Sequence, residues 1–340
     1  MISLGANENP LGMPESARRA VDAVLSDSGR YPDGNGLALK AALAAHLNVP
    51  AAWLTLGSGS SELLDLAAQV CVEPGQAVIY SQYGFIVYRQ ATAHAHARGV
   101  MVPARDFGHD LEAMLVAIDG NTRLVFVANP NNPTGTFIEA ARLQAFIERV
   151  QSQVTVLLDE AYTEYLSPDQ SYDSMDWVRR FPNLIVTRTF SKAYGLAGLR
   201  VGYAVAQPRL TTLLNARRPR FNVTAPGLAA AQAVLGDEAW LAQTYAINTE
   251  GRAQLASGLA AMGLRCVPSS GNFVMVQLAG AHAAHARLLA RGIEVSLLDN
   301  YGLAEWLRIS VGLMQQNRHV LDILREGLPG RDSLQDASDC

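Results

Sequence analysis

The chemistry this sequence advertises centres on one lysine. Lys192 lies in Thr189-Phe190-Ser191-Lys192-Ala193-Tyr194-Gly195-Leu196-Ala197-Gly198-Leu199-Arg200. Lys40 is the only other lysine among 27 basic residues, so arginine is the default cation of this chain. A lysine amine condenses with an aldehyde once it can shed its proton, and burial favours that. Taken alone, Lys192 also fits an ordinary surface lysine after a strand. Its upstream company argues otherwise. The apolar run Val154-Thr155-Val156-Leu157-Leu158 ends in Asp159-Glu160-Ala161-Tyr162, and Asn129-Pro130-Asn131-Asn132-Pro133-Thr134-Gly135 precedes it.

Each of these residues has a role within reach. Ligands of open α/β sheets gather outside the carboxyl ends of strands, where Asp159 falls. An acid there can keep a pyridine nitrogen protonated, although an aspartate after a strand also caps helices. Tyr162 and the Asn132 amide can donate to a phenolate oxygen, while Asn-Pro-Thr-Gly is equally good turn chemistry. Leu56-Gly57-Ser58-Gly59-Ser60-Ser61-Glu62 leads from an apolar piece into a helix, whose free N–H groups and dipole favour an anion. Ser191 and Arg200 would add a hydroxyl and a permanent charge. Phe85 is placed to stack on a ring or to fill a helix core. Amine, acid, phenol, amide and anion cradle together are what pyridoxal 5′-phosphate (PLP) requires.

These residues need a scaffold. Short β-branched runs at 76–81, 99–103, 122–128, 154–159, 183–189 and 201–206 alternate with helical patterns at 61–72, 85–97, 110–118, 138–151 and 174–179. Apolar runs bounded by helices predict an α/β fold with a mostly parallel central sheet covered on both faces. From Pro226 the texture changes. An Ala/Leu-rich stretch to Met262 reads as two helices broken near Gly236. Strands at 272–277, 293–297 and 306–311 and helices at 282–291 and 315–326 complete a smaller α+β unit. The expected division is a large domain over 28–225 and a small one from 1–27 and 226–330. Residues 331–340 form a polar tail expected to be disordered.

The bulk composition bounds the function. A net charge of −4 gives no support for binding nucleic acid or anionic membranes, and 49% hydrophobic residues can fill a large core. Cys71, Cys266 and Cys340 lack metal or redox spacing. The first ten residues have neither basic nor apolar signal-peptide regions, and no run reaches the ~20 apolar residues of a membrane span. The cytoplasm is the expected compartment.

In order and spacing, the three motifs around Asn132, Asp159 and Lys192 resemble fold-type I PLP-dependent aminotransferases of class I/II, and more closely histidinol-phosphate aminotransferases. Ala6-Asn7-Glu8-Asn9-Pro10-Leu11-Gly12, Arg30-Tyr31-Pro32-Asp33, Tyr301-Gly302-Leu303 and Leu307-Arg308-Ile309-Ser310-Val311-Gly312 support the closer resemblance. It covers roughly residues 2–328. It implies a PLP-dependent transferase fold and Lys192 as Schiff-base lysine and proton shuttle. Asp159 would sit on the pyridine nitrogen, Tyr162 and Asn132 on the ring oxygen, and Phe85 on the ring face. Ser60, Ser61, Ser191 and Arg200 would hold the cofactor phosphate. Tyr31 would reach that phosphate from the neighbouring subunit of a homodimer, and Arg308 would clamp the substrate carboxylate. The implied reaction is ping-pong transfer between L-histidinol phosphate and 2-oxoglutarate, a step of histidine biosynthesis. An aromatic or broad-range aminotransferase, or a PLP-dependent decarboxylase or lyase, shares the scaffold; outside PLP enzymes stands a binding protein with a degenerate site.

Three departures accompany the resemblance. Ser61 stands where the family often has aspartate. The chain begins almost directly at the Asn7 motif, without the N-terminal arm many members carry, which predicts a weaker dimer. Ser296 falls where relatives usually have an arginine that contacts the substrate's phosphate. Either Arg217, Arg218 or Arg220 supplies that charge, or the substrate is unphosphorylated.

Overall fold

The computed structural model describes residues 1–327; the tail expected over 331–340 lies outside them. After the short strand β1 (Ile2–Ser3), seven strands build the main sheet: β2 (Leu54–Ser58), β3 (Ala77–Ser81), β4 (Arg98–Val102), β5 (Thr122–Ala128), β6 (Thr155–Asp159), β7 (Leu184–Thr189) and β8 (Val201–Ala206). Their order is β2-β8-β7-β6-β5-β3-β4, and β8 alone runs against its neighbours β2 and β7. The reversal follows from the connection. Residues 190–200 contain only a 3-10 turn at Ala197–Leu199, whereas a parallel return needs a longer crossover.

Alternation splits each central strand between two cores. Val125 and Val127 of β5 and Val156 and Leu158 of β6 face one core, and Leu124, Phe126 and Leu157 face the other. The first is closed by α1 (Glu15–Leu25), α2 (Leu37–Leu47), and α5 (Leu111–Val116), α6 (Ala140–Arg149), α7 (Ser174–Arg180) and α9 (Ala225–Val234). The second is closed by α3 (Gly59–Cys71), α4 (Ile86–His94) and α8 (Pro208–Arg217). Burial on both faces explains why these strands read as unbroken apolar runs.

A second, antiparallel sheet has the order β12 (Ser296–Leu298), β13 (Leu303–Ser310), β10 (Phe273–Gln277) and β9 (Cys266–Val267). Its core includes Leu255 and Leu259 of α10 (Glu238–Ala261), Leu288 of α11 (Ala281–Ala290) and Val320 and Leu324 of α12 (Met314–Glu326). β1 pairs in parallel with β11 (Ile293–Glu294), anchoring the N-terminus to this unit. The chain passes between units more gradually than a cut at residue 225 implies. Ala17 of α1 and Ala230, Ala231 and Val234 of α9 belong to the core of the main sheet. Among the described residues, no helix is long and apolar enough to cross a membrane.

β8 and the start of α3 touch backbone to backbone. A Cβ on Gly202 would lie 2.5 Å from the Ser60 nitrogen and 2.6 Å from the Gly59 carbonyl carbon. Gly202→Ala is therefore expected to destabilise the fold by about 1–3 kcal/mol, as overpacking does. The check is a lowered urea midpoint at constant slope; an unmoved midpoint would show that this approach is slack.

Candidate active site

A cleft of about 210 Å³ opens at the carboxyl ends of the main-sheet strands, against the second sheet. Lining it are Ser60, Ser61, Phe85, Asn132, Asp159, Tyr162, Ser191, Lys192, Arg200 and Arg308. Sequence reasoning named all ten. It gave no role to Ala6, Asn7 or Tyr88, which also line it.

Asp159 ends β6 with Ala128 of β5 and Thr187 of β7 as ladder partners. The register delivers the Thr187 hydroxyl to Asp159 Oδ1 at 3.3 Å, and Tyr88 of α4 donates to Oδ2 at 2.9 Å. Burial pushes the carboxyl up to about 6 even though both hydroxyls favour the ionised form. The reverse turn after β7 presents Lys192. Ser191 N–H donates to Thr189 Oγ1 at 3.1 Å, and Gly195, at φ 72°, donates its N–H to the Lys192 carbonyl at 3.0 Å. Burial pushes the Lys192 amine down to about 8, helped by the Arg308 and Arg200 charges and opposed by Glu8. Its Nζ donates to the Ala6 carbonyl at 2.8 Å.

At one end of the cleft, Gly59 opens α3 at φ 74°, and a Cβ there would collide with Arg200 Nη2. Only glycine lets that guanidinium lie against the helix start. Arg200 also donates to Ser191 Oγ at 3.3 Å. Helix N-terminus, serine hydroxyls and guanidinium thus converge on a space made for an oxyanion. On the other side, Asn7 Nδ2 donates to the Tyr162 hydroxyl at 2.9 Å, and burial pushes that phenol up to about 12.

Arg308 comes from β13 directly opposite Ser296 of β12. Its Nη2 donates to the Gly5 carbonyl and to Ser296 Oγ at 3.2 Å, its Nη1 donates to Asn132 Oδ1, and its buried Nε has no partner among the described residues. The segment Gly5–Asn9 therefore links both sheets. Asn7 N–H donates to Ser310 Oγ at 2.8 Å, and Asn9 Nδ2 donates to the Ala193 carbonyl at 2.9 Å.

Tyr31 lies outside this cleft, 83% exposed and stacked on Phe221 at 4.6 Å. It borders a neighbouring cavity of about 550 Å³ whose wall includes Arg30, Ser58, Phe221 and Arg200. Arg200 thus fronts both spaces. Arg217 and Arg218 are turned elsewhere, Arg217 to Gln69 and Arg218 to Asn222 and the Gly34 carbonyl, while Arg220 lies over Phe221. None of the three lines the cleft of its own chain.

Known proteins share this arrangement. The sequence pattern of the family described as "Aminotransferase class I and II" matches residues 1–324. Histidinol-phosphate aminotransferase 1 of Cupriavidus pinatubonensis is 54% identical over 332 residues, covering 96% of this chain and 88% of that protein. Histidinol-phosphate aminotransferase 2 of Pseudomonas aeruginosa is 49% identical, covering 95% of this chain and 88% of its own. The crystal structure of histidinol-phosphate aminotransferase from Sinorhizobium meliloti in complex with pyridoxal-5′-phosphate superposes with a TM-score of 0.88 at 32% identity, covering 99% of this chain and 92% of that one. The chain belongs to the class I and II aminotransferase family.

Asp159 gives the ligand-free protein a pH signature. Its folded value, about 6, exceeds the usual 3.8, so folding favours the protonated form. Its stabilising contribution is full below pH 3.8 and is lost as pH rises through 6. Relative to Asp159→Asn, the ligand-free wild type should lose up to about 3 kcal/mol between pH 4 and 6. Parallel stability curves for the two proteins would contradict it.

Proposed function

We propose that this aminotransferase uses PLP to move an amino group between L-histidinol phosphate and 2-oxoglutarate. The observation that carries the proposal is the convergence of Lys192, Asp159 and the Gly59–Arg200 anion cradle on one cleft. When bound, PLP supplies an aldehyde for the amine and an electron sink for the substrate carbon. The protein's residues fit it in size and kind.

Lys192 holds the aldehyde and then moves the proton at the reacting carbon, for which an amine near 8 is well matched to neutral pH. Asp159 keeps the ring nitrogen protonated. Asn132 and Tyr162 hold the ring oxygen, and Phe85 covers a ring face. Ser60, Ser61, Ser191 and Arg200 bind the cofactor phosphate, joined by Tyr31 of a second subunit. Support for that homodimer is the exposed Tyr31 beside a cavity that reaches Arg200.

Arg308 serves both substrates. Histidinol phosphate carries a phosphate and no carboxylate, and 2-oxoglutarate carries carboxylates, so one guanidinium must accept either oxyanion. The Ser296 and Asn132 contacts hold its fork toward the cleft. With a hydroxyl at Ser296, Arg308 carries the charge-assisted part of phosphate recognition, worth about 1.5–3 kcal/mol. The compartment that fits these substrates is the cytoplasm, and the pathway is histidine biosynthesis.

Half-reactions of the PLP-loaded protein with L-histidinol phosphate, phenylalanine and tyrosine test the assignment. The visible absorbance should collapse at the lowest concentrations of histidinol phosphate. Preference for either aromatic acid would transfer the reading to an aromatic aminotransferase. Lys192→Ala should retain the fold and abolish turnover; transamination persisting at a tenth of wild type or more would remove Lys192 from its role.

A further inference from the structure

Tyr88 has no role in the reaction as described, yet it makes the shorter of the two side-chain hydrogen bonds to Asp159. It sits in the first turn of α4 with 0% exposure. Its ring is stacked on Phe126 at 4.7 Å with 5° between planes, and edge-on to Phe85 at 6.0 Å and 90°. The start of the helix is tied down separately, because Ile86 N–H donates to the Tyr301 hydroxyl at 3.2 Å. The phenol is therefore aimed by two aromatic contacts and by a bond from its helix to the turn between β12 and β13. Nothing about packing alone requires its hydroxyl, since phenylalanine would fill the same slot.

We propose that Tyr88 is a positioning residue that holds Asp159 ionised and turned for the cofactor's ring nitrogen. The proposal rests on the PLP reading of the cleft. Asp159 is buried, so its charge depends on hydrogen bonds in place of water. Thr187 offers a longer bond to Oδ1, and the Ala161 N–H adds a backbone contact. Burial and the Asp159 charge hold the Tyr88 phenol well above its ordinary range, so it stays a donor throughout the working pH range. The other titratable groups facing the pair are Glu160, Tyr162 and Tyr301. Glu160 is paired with Arg188 at 2.8 Å and Tyr162 with Asn7, so neither replaces the Tyr88 bond. Lys192 and Arg308 face the same cleft and are held by the Ala6 and Gly5 carbonyls.

Two measurements on Tyr88→Phe test this. The first is carboxyl ¹³C NMR titration of Asp159 in the ligand-free protein. The midpoint should rise by about one unit, a tenfold change in proton affinity, and by less in Thr187→Val. An unmoved midpoint overturns the proposal. The second is PLP affinity and kcat/KM across pH. Tyr88→Phe should bind PLP about threefold more weakly at pH 6.5, approach a tenfold loss near pH 5, and approach wild type at pH 8.5, where Asp159 ionises without help. A loss that is the same at all pH values would mean a packing role only, and would also overturn it. If wild type itself takes up no PLP, the PLP reading fails, while the ligand-free titration still decides whether Tyr88 controls Asp159.

Discussion

A carboxylate buried without a cation beside it is the constraint around which this molecule is arranged. Asp159 is 5% exposed at the end of β6, and its side-chain partners are two hydroxyls. Removing a charge from water is costly unless hydrogen bonds or an ion replace the water. The protein spends sheet register on one partner, since only the β6–β7 pairing brings Thr187 alongside. It spends the entry angle of α4 on the other. A pyridinium would supply the missing positive charge. On the proposed reading, cofactor binding and fold stability would be linked through this one group.

The second organising element is short. Gly5–Asn9 touches Arg308, Lys192, Tyr162 and Ser310 through backbone and amide groups. β1, next to it, is paired with β11 of the second sheet. One stretch of chain thus holds both the Arg308 guanidinium and the Lys192 amine. Asn7 adopts φ 55°, a conformation asparagine tolerates better than most residues, and this lets its N–H and its amide point in different directions.

Much of this was legible in the sequence, for identifiable reasons. Thr122–Ala128 and Val201–Ala206 read with their true ends because Leu124–Ala128 and Val201–Ala206 carry no charged residue and turn residues flank both strands. The break near Gly236 separates α9 from α10 as expected. α2 escaped notice because its Ala/Leu-rich sequence has little amphipathic contrast, and α1 and α8 because their buried positions are few. Strand direction is invisible to periodicity, so the reversal of β8 was hidden in the length of a loop. In the site, motif residues declared themselves by type. Tyr88 and Asn7 did not, because a tyrosine in an apolar helix and an asparagine in a coil look structural until the fold brings them to a carboxylate and a phenol. The spacing of Tyr88 from Phe85 was the available signal. Tyr31 was legible as a residue of interest, but its surroundings within one chain are those of an exposed aromatic.

The carbonyls of Gly5 and Ala6 carry one more consequence. Arg308 and Lys192 already donate to them before any ligand arrives. These two cations have thus lost part of their hydration during folding. An oxyanion arriving at Arg308 exchanges one acceptor for another and need not strip a full water shell. Such an exchange conserves the number of bonds and lowers the reorganisation required at each turnover. In a ping-pong cycle the site must be vacated and refilled twice. The Gly5 and Ala6 carbonyls therefore hold both side chains in a defined orientation while no ligand is bound.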